Sequence, residues 1–342
     1  MRKLWNDCFL RFRDYLKVRT IEEEEIMRIA MVSSWHVHAK GYGKEFKEMP
    51  GCEIVAVWDE NPAAGREWAE ELGCVFVENY DDLLADANID GVAISSPTSM
   101  HPDLMVKAAN AGKHIFTEKV LAIKLEDALK IKEAVVANGV KFAISFPHRC
   151  RADILLAKQI QDSGALGELT YARVRNVHNG SIANWLPPHF YNKEQCGGGA
   201  MIDLGAHSIY LMEWFLGKPT RVVSAFTNYT PRDVEDNAVT VLSYANGAIG
   251  VAETGFVSVN TPFALELGGT KGSLTVRNGV TYATEATGGK WVAASESEYP
   301  AALPNALHQW VSAFNDGTEI LFDIDLAVSL TEVMAMAYEG AK

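Results

Sequence analysis

No two of the five cysteines (Cys8, Cys52, Cys74, Cys150, Cys196) form a C-x-x-C pair. An odd, scattered set excludes a disulfide scaffold and suits a reducing cytoplasm. No apolar run approaches the ~20 residues of a membrane helix, so no membrane partner is expected. Basic residues are too few for nucleic acid: 31 Lys and Arg against 44 Asp and Glu leave a net charge of −13, the wrong sign for holding phosphodiester backbones. Disorder is excluded too, because 48% of the 342 residues are hydrophobic and 22% charged. That length supports about two domains, each with its own core.

Residues 1–26 stand apart. They carry balanced charge and end in the run Glu22–Glu25. Leu4, Trp5, Cys8, Phe9, Phe12, Tyr15 and Leu16 recur at helical spacing, which fits a docking or oligomerisation helix. There is no uninterrupted apolar stretch of the secretory type. The alternative is that Met27 is the biological start, with the glutamate codons read from a ribosome-binding site.

From Met27 onward the pattern alternates. Apolar runs at 27–32, 53–58, 91–95, 114–116 and 141–146 read as buried strands, separated by helical stretches to about Glu48 and at 63–72, 105–111 and 125–137. Such β-α-β alternation predicts a parallel sheet with helices on both faces, a doubly wound dinucleotide-binding fold whose ligand sits at the carboxyl ends of the strands. The first turn, Ser33-Ser34-Trp35-His36-Val37-His38, lacks every glycine of a G-x-G-x-x-G fingerprint. A serine can replace glycine where φ stays negative and can donate to a phosphate. Trp35 fits if its side chain points away and only its backbone faces the ligand. Asp59 ends the second strand, where an acid accepts from ribose hydroxyls and repels a 2′-phosphate, so NAD is favoured over NADP. His36 and His38, two apart at a helix start, point in different directions, and no neighbouring carboxylate or cysteine completes a set, so no metal is expected.

Two motifs carry chemistry. Glu118-Lys119 follows the strand at 114–116, where a lysine can hydrogen-bond a substrate hydroxyl and stabilise negative charge; taken alone, the dipeptide equally reads as a surface ion pair. The second motif is Gly197-Gly198-Gly199-Ala200-Met201-Ile202-Asp203-Leu204-Gly205-Ala206-His207. Asp203 and His207, four apart on a mostly apolar helix, share one face, so the acid can orient the imidazole and stabilise its protonated form.

With these motifs the chain resembles the Gfo/Idh/MocA family, from about Met27 to the C-terminus. Ser96-Pro97-Thr98-x-x-His101, Gly164-x-x-Gly167 and the segment Gly268–Leu274 belong to the same resemblance. It implies an α/β protein: a Rossmann domain at 27–147, then a substrate-binding and oligomerisation domain at 148–342 with a large, open, mostly antiparallel sheet. It implies hydride transfer between a nicotinamide and a secondary alcohol of a sugar, glycoside or cyclitol. Lys119 is then the catalytic lysine, Asp203 a substrate-binding or orienting carboxylate and His207 the general acid/base. Ser33, Ser34, Trp35, His36, Val37, Asp59, Ser96, Pro97, His101, Glu118 and Lys119 line the cofactor. Arg149, Trp185, His189 and Tyr191 join Lys119, Asp203 and His207 on the substrate side. Val120 stands where the family has proline, and Tyr210 where an aspartate often follows the histidine by three.

The second half supports this independently. Strands are expected at 168–178, 221–229, 238–244, 248–256, 263–267 and 273–276, with a hairpin turn at Asn246-Gly247. A sheet of this kind leaves one face to be covered, which predicts a homo-oligomer: a dimer, tetramer or larger. The aromatic stretch Ser181–Tyr191 suits stacking on a sugar. Two other functions use the same fold: a glycosidase or lyase working by transient sugar oxidation, and a non-catalytic sugar or nucleotide sensor.

Overall fold

The structure, a computed structural model, describes residues 26–341. The readings of residues 1–25 lie outside the described residues. Strands β1 (Met27–Val32), β2 (Cys52–Trp58), β3 (Val75–Phe76), β4 (Gly91–Ile94), β5 (His114–Thr117) and β6 (Phe142–Ile144) form one parallel sheet in the order β3-β2-β1-β4-β5-β6. The order reverses between β1 and β4, which opens a crevice at the carboxyl ends. Local chemistry sets the helices between the strands. Asn61 caps the Pro62–Leu72 helix by accepting from Ala63 and Ala64, proline takes its first position, and Gly73 ends it at φ 76°. The two-residue β3 was not anticipated; it is too short to show a period.

A second sheet has eight strands. β7 (Leu169–Val177), β8 (Arg221–Thr227), β9 (Asn237–Ser243), β10 (Ile249–Gly255), β11 (Ala264–Gly269), β12 (Gly272–Val276), β13 (Val280–Thr284) and β14 (Val292–Ala293) lie in the order β14-β13-β12-β11-β7-β10-β9-β8. All neighbours are antiparallel except β7 and β10, which run parallel because β7 reaches β10 only after the long excursion through residues 178–248. β13 and β14 were also missed from the sequence. One face packs on the Ala152–Asp162, Ala206–Leu216 and Ile324–Glu339 helices. The other exposes Val223, Val239, Val241, Ile249 and Tyr171 around the ion pair Arg173–Glu253.

The Ala306–Asp316 helix returns to the first sheet. Trp310 is fully buried between Phe46 and Phe116, and a Cβ on Gly91 would lie 2.7 Å from its ring. The glycine at the start of β4 is what lets this helix close on the parallel sheet. Among the described residues no helix is long and apolar enough to cross a membrane.

Candidate active site

The crevice begins at the end of β1. Ser33 stands at φ 69°, the left-handed region that favours glycine, so the negative φ expected for a serine here is not observed. Its Oγ accepts the Trp35 N–H at 3.2 Å. Asp59 then staples the turn: Oδ2 accepts from the Ser34 N–H at 2.8 Å and hydroxyl at 2.6 Å, and Oδ1 from the Asn61 N–H at 2.8 Å. A carboxylate has about four acceptor positions, and three serve the loop. Asp59 is 4% exposed, so it shapes the turn before it can meet any ribose.

The Trp35 side chain does not point away. It stacks on Phe190 with centroids 5.2 Å apart and 11° between planes, and it meets His189 at 4.7 Å. The aromatic stretch thereby reaches across to the dinucleotide loop. Trp35, Phe190, Lys119, Asp203 and Gly199 border a cavity of about 30 Å³. That is room for about one water, against several hundred Å³ for a ligand pocket.

Glu118 and Lys119 turn in opposite directions, which excludes the surface-pair reading. Glu118, 3% exposed, accepts on Oε1 from Tyr42 and from His38 Nδ1 (2.8 Å), and on Oε2 from the Lys119 N–H (3.1 Å). Burial would raise its pKa, but His36, the His38 bond and the Lys119 charge outweigh it and hold the carboxyl low. Lys119 Nζ lies 2.6 Å from Asp203 Oδ1 and 3.1 Å from the Asp203 carbonyl oxygen. Burial likewise opposes ionisation of Asp203, and the Lys119 ammonium overcomes it, so its carboxyl is also lowered.

The glycine-rich motif explains how Asp203 arrives there. A Cβ on Gly198 would lie 1.9 Å from the Tyr338 hydroxyl, and one on Gly199 2.0 Å from the Glu235 carbonyl oxygen. Glu235 Oε1 accepts from the N–H groups of Gly199 and Met201 and from Tyr338, at 2.7–3.0 Å. Neither Glu235 nor Tyr338 was visible as a site residue, because each lies far away along the chain. The turn that follows, Met201–Gly205, is a π-helix, and the α-helix begins only at Ala206. The wider turn breaks the i, i+4 stacking on which the Asp203–His207 pairing relied. Asp203 bonds Lys119, and His207 Nδ1 bonds the Tyr210 hydroxyl at 2.9 Å. Burial first, then the charge of Lys119 and His148, lower the His207 pKa well below its ordinary value, which opposes the protonated imidazole expected from an Asp203 partner.

The other candidates divide. His36 is buried, and its N–H bonds the Ser95 carbonyl oxygen. Ser96 and Pro97 are buried just beyond β4, and Val37 is 48% exposed at the loop. His101 is buried between the carbonyl oxygens of Ser96 and Leu121 and clamps backbone. Tyr191 accepts from Ser181 behind the aromatic stretch, under the Arg232 guanidinium, and Trp185 is exposed on Asn179. Arg149 lies over the Trp214 ring. Its neighbour His148 is the one that meets His207, edge to face at 4.8 Å, because adjacent residues of the Pro147–Cys150 turn point apart. A histidine just past the carboxyl end of β6 was the available signal.

Contrary to the expectation from spacing, a carboxylate does stand beside the histidine pair. His36 and His38 rings are 4.7 Å apart, and donor atoms of His36, His38 and Glu118 lie within 4.8 Å of one another. Glu118 comes from another strand, so spacing could not reveal it. Hydrogen bonds already join the three: His38 Nδ1 to Glu118, and the His38 N–H to His36 Nδ1.

Comparison with known proteins gives a consistent set. Residues 27–146 match the GFO_IDH_MocA model, described as an oxidoreductase family with an NAD-binding Rossmann fold, and residues 154–275 match the GFO/IDH/MocA C-terminal domain. The chain is 29% identical over 313 residues to scyllo-inositol 2-dehydrogenase (NAD(+)) of Bacillus subtilis (strain 168), covering 86% of this chain and 87% of that one. It is 28% identical over 250 residues to D-glucoside 3-dehydrogenase of Escherichia coli (strain K12), covering 67% and 70%. Levoglucosan dehydrogenase, solved in complex with NADH and levoglucosan, shares the fold with a TM-score of 0.80 at 21% identity, over 92% of this chain and 97% of that one.

Proposed function

This chain belongs to the Gfo/Idh/MocA family of NAD-binding oxidoreductases, and from that premise we propose that it oxidises a secondary alcohol of a sugar, glycoside or cyclitol with NAD, or reduces the matching ketone. The observation that carries the reading is the Lys119–Asp203 contact at the carboxyl end of β5, beside the dinucleotide loop. An ammonium held there can stabilise a developing alkoxide.

The residues present fit a dinucleotide. Ser95 Oγ and Trp35 Nε1 are buried polar atoms without a partner among the described residues, and both sit where the strand order reverses. The backbone of 33–37, Ser96, Pro97 and the turn stapled by Asp59 would hold the cofactor, whose nicotinamide supplies or takes the hydride when bound. Asp59 and Glu60, the latter beside Ser33, place negative charge where a 2′-phosphate would go, which supports NAD over NADP. His38, Tyr42 and Glu118 form a polar wall next to Lys119 and fix the backbone from which it projects.

The division near residue 147 separates the two sheets, with the Ala306–Asp316 helix packed back on the first. The apolar face around Val239 and Val241 is the surface through which copies of the chain associate. Cys52, Cys74, Cys150 and Cys196 are free thiols, as suits a cytoplasmic protein.

The experiment is a panel of sugars, glycosides and cyclitols with NAD and NADP, followed by nicotinamide absorbance. Reduced nicotinamide should accumulate with at least one substrate, and Lys119→Ala should abolish it. Bond cleavage of a glycoside without accumulation would replace this reading by the lyase one.

A further inference from the structure

Tyr210 stands three residues beyond His207 on the Ala206–Leu216 helix and is 2% exposed. Its hydroxyl has two partners among the described residues. It accepts the His148 N–H at 3.1 Å and lies 2.9 Å from His207 Nδ1. Its own proton therefore has one acceptor within reach, and that acceptor is Nδ1. The opposite assignment, with Nδ1–H donating to the tyrosine, would enclose a phenolic proton with nothing to receive it, a state that folded proteins avoid. A neutral imidazole carries a single N–H, which this arrangement leaves on Nε2. Burial and then the Lys119 charge lower the His207 pKa well below its ordinary value, which favours the neutral ring at neutral pH. Among the described residues Nε2 makes no hydrogen bond, and it is not fully enclosed, so it is the edge that a ligand can reach.

We infer that Tyr210 is a positioning residue that holds His207 as the Nε2–H tautomer, so that the imidazole meets the substrate oxygen as a hydrogen-bond donor and the reaction's proton is exchanged with Lys119. The inference rests on the oxidoreductase reading above. In the reducing direction the ketone carbon would take the hydride that a bound reduced nicotinamide supplies, the C=O π pair moves onto oxygen, and that oxygen takes a proton from the Lys119 ammonium as one N–H bond breaks; the ketone is reduced and the nicotinamide oxidised. The neutral amine, beside Asp203, recovers a proton from water. Oxidation makes and breaks the same bonds in reverse. His207 keeps its proton throughout, because accepting one on Nε2 needs a lone pair that Tyr210 denies it.

The test uses the full chain labelled with ¹⁵N-histidine, without any ligand. Long-range ¹H–¹⁵N correlation spectra separate the two tautomers by their nitrogen shifts, and H207Q assigns the ring. At neutral pH the expected spectrum has Nε2 protonated and Nδ1 bare. Tyr210→Phe removes only the hydroxyl and should shift Nδ1 toward the protonated form. A native ring carrying its proton on Nδ1 overturns the inference, and so does a Tyr210→Phe spectrum unchanged at His207. The native spectrum decides even if the variant fails to fold. Neither readout involves turnover, so a failure here is distinct from a failure of the substrate panel.

Discussion

Lys119 Nζ lies 2.6 Å from Asp203 Oδ1, with the two side chains 3% and 18% exposed, although the residues are 84 positions apart. The contact joins the parallel sheet to the helix of the second sheet. Removing only the acid leaves an enclosed ammonium without its counter-charge. Asp203→Asn should therefore cost about 3 kcal/mol of stability in chemical denaturation and abolish turnover. Adding Lys119→Met to it should restore most of the stability and none of the turnover. Equal destabilisation by the single and double variants would refute the coupling.

Stability should fall on acidification well before the ordinary carboxylate range. Burial, more than any neighbouring charge, lowers His36 and His148 to about 4. Between their unfolded value near 6.5 and about 4, the unfolded chain takes up protons that the fold refuses, so stability declines as pH falls. For one such ring this amounts to on the order of 3 kcal/mol. The depressed carboxyls of Asp203 and Glu118 act in the same direction at lower pH: their contribution is present above their unfolded values and is lost as pH drops toward the folded ones. Urea unfolding of native protein and His36→Gln at neutral pH and at pH about 5 measures the first part. A variant as acid-sensitive as the native chain would count against it.

The glycine-rich motif is a matter of contact. Gly199→Ala sets a methyl group against the Glu235 carbonyl oxygen, a backbone atom that cannot swing aside. It should cost about 2 kcal/mol or more and lower turnover by displacing Asp203. Gly41→Ala is the counterpart. No atom lies within 4 Å of its Cβ position, in the Ala39–Glu48 helix, so it should raise stability by up to about 1 kcal/mol. Thermal melts of both variants check the signs.

Cofactor entry requires the Trp35–Phe190 stack to open, since the cavity beneath it holds about one water. Addition of NAD should change the fluorescence of Trp35 on the time scale of loop motion. Trp35→Phe should lose that component in stopped-flow traces while still binding NAD. Identical traces from the two proteins would place the moving tryptophan elsewhere.

Much of the architecture was legible along the chain because it depends on local order. The alternation of short apolar strands with amphipathic helices announces the parallel sheet, and the turn at Asn246-Gly247 announces a hairpin. Lys119, Asp203 and His207 stood out as polar residues at a strand end and on an apolar helix. What failed were statements about which atoms meet. Spacing pairs Asp203 with His207, yet the π-turn at 201–205 rotates it toward Lys119. The acid at the end of β2 was legible, but not that Asp59 also staples its own loop. Arg149 lies over the Trp214 ring, and its neighbour His148 points inward to His207.

The sequence by itself determined the alternation of the longer strands and helices, though not the short β3, β13 and β14, and the residue types available for proton chemistry, since periodicity and turn propensity act over a few residues. Only the tertiary structure decided the partners of those residues: the Lys119–Asp203 pair, the Tyr210 bond to His207 and the aromatic closure over Trp35. Each depends on backbone register or on segments far apart in the chain, and a hydrogen bond is won or lost within an ångström.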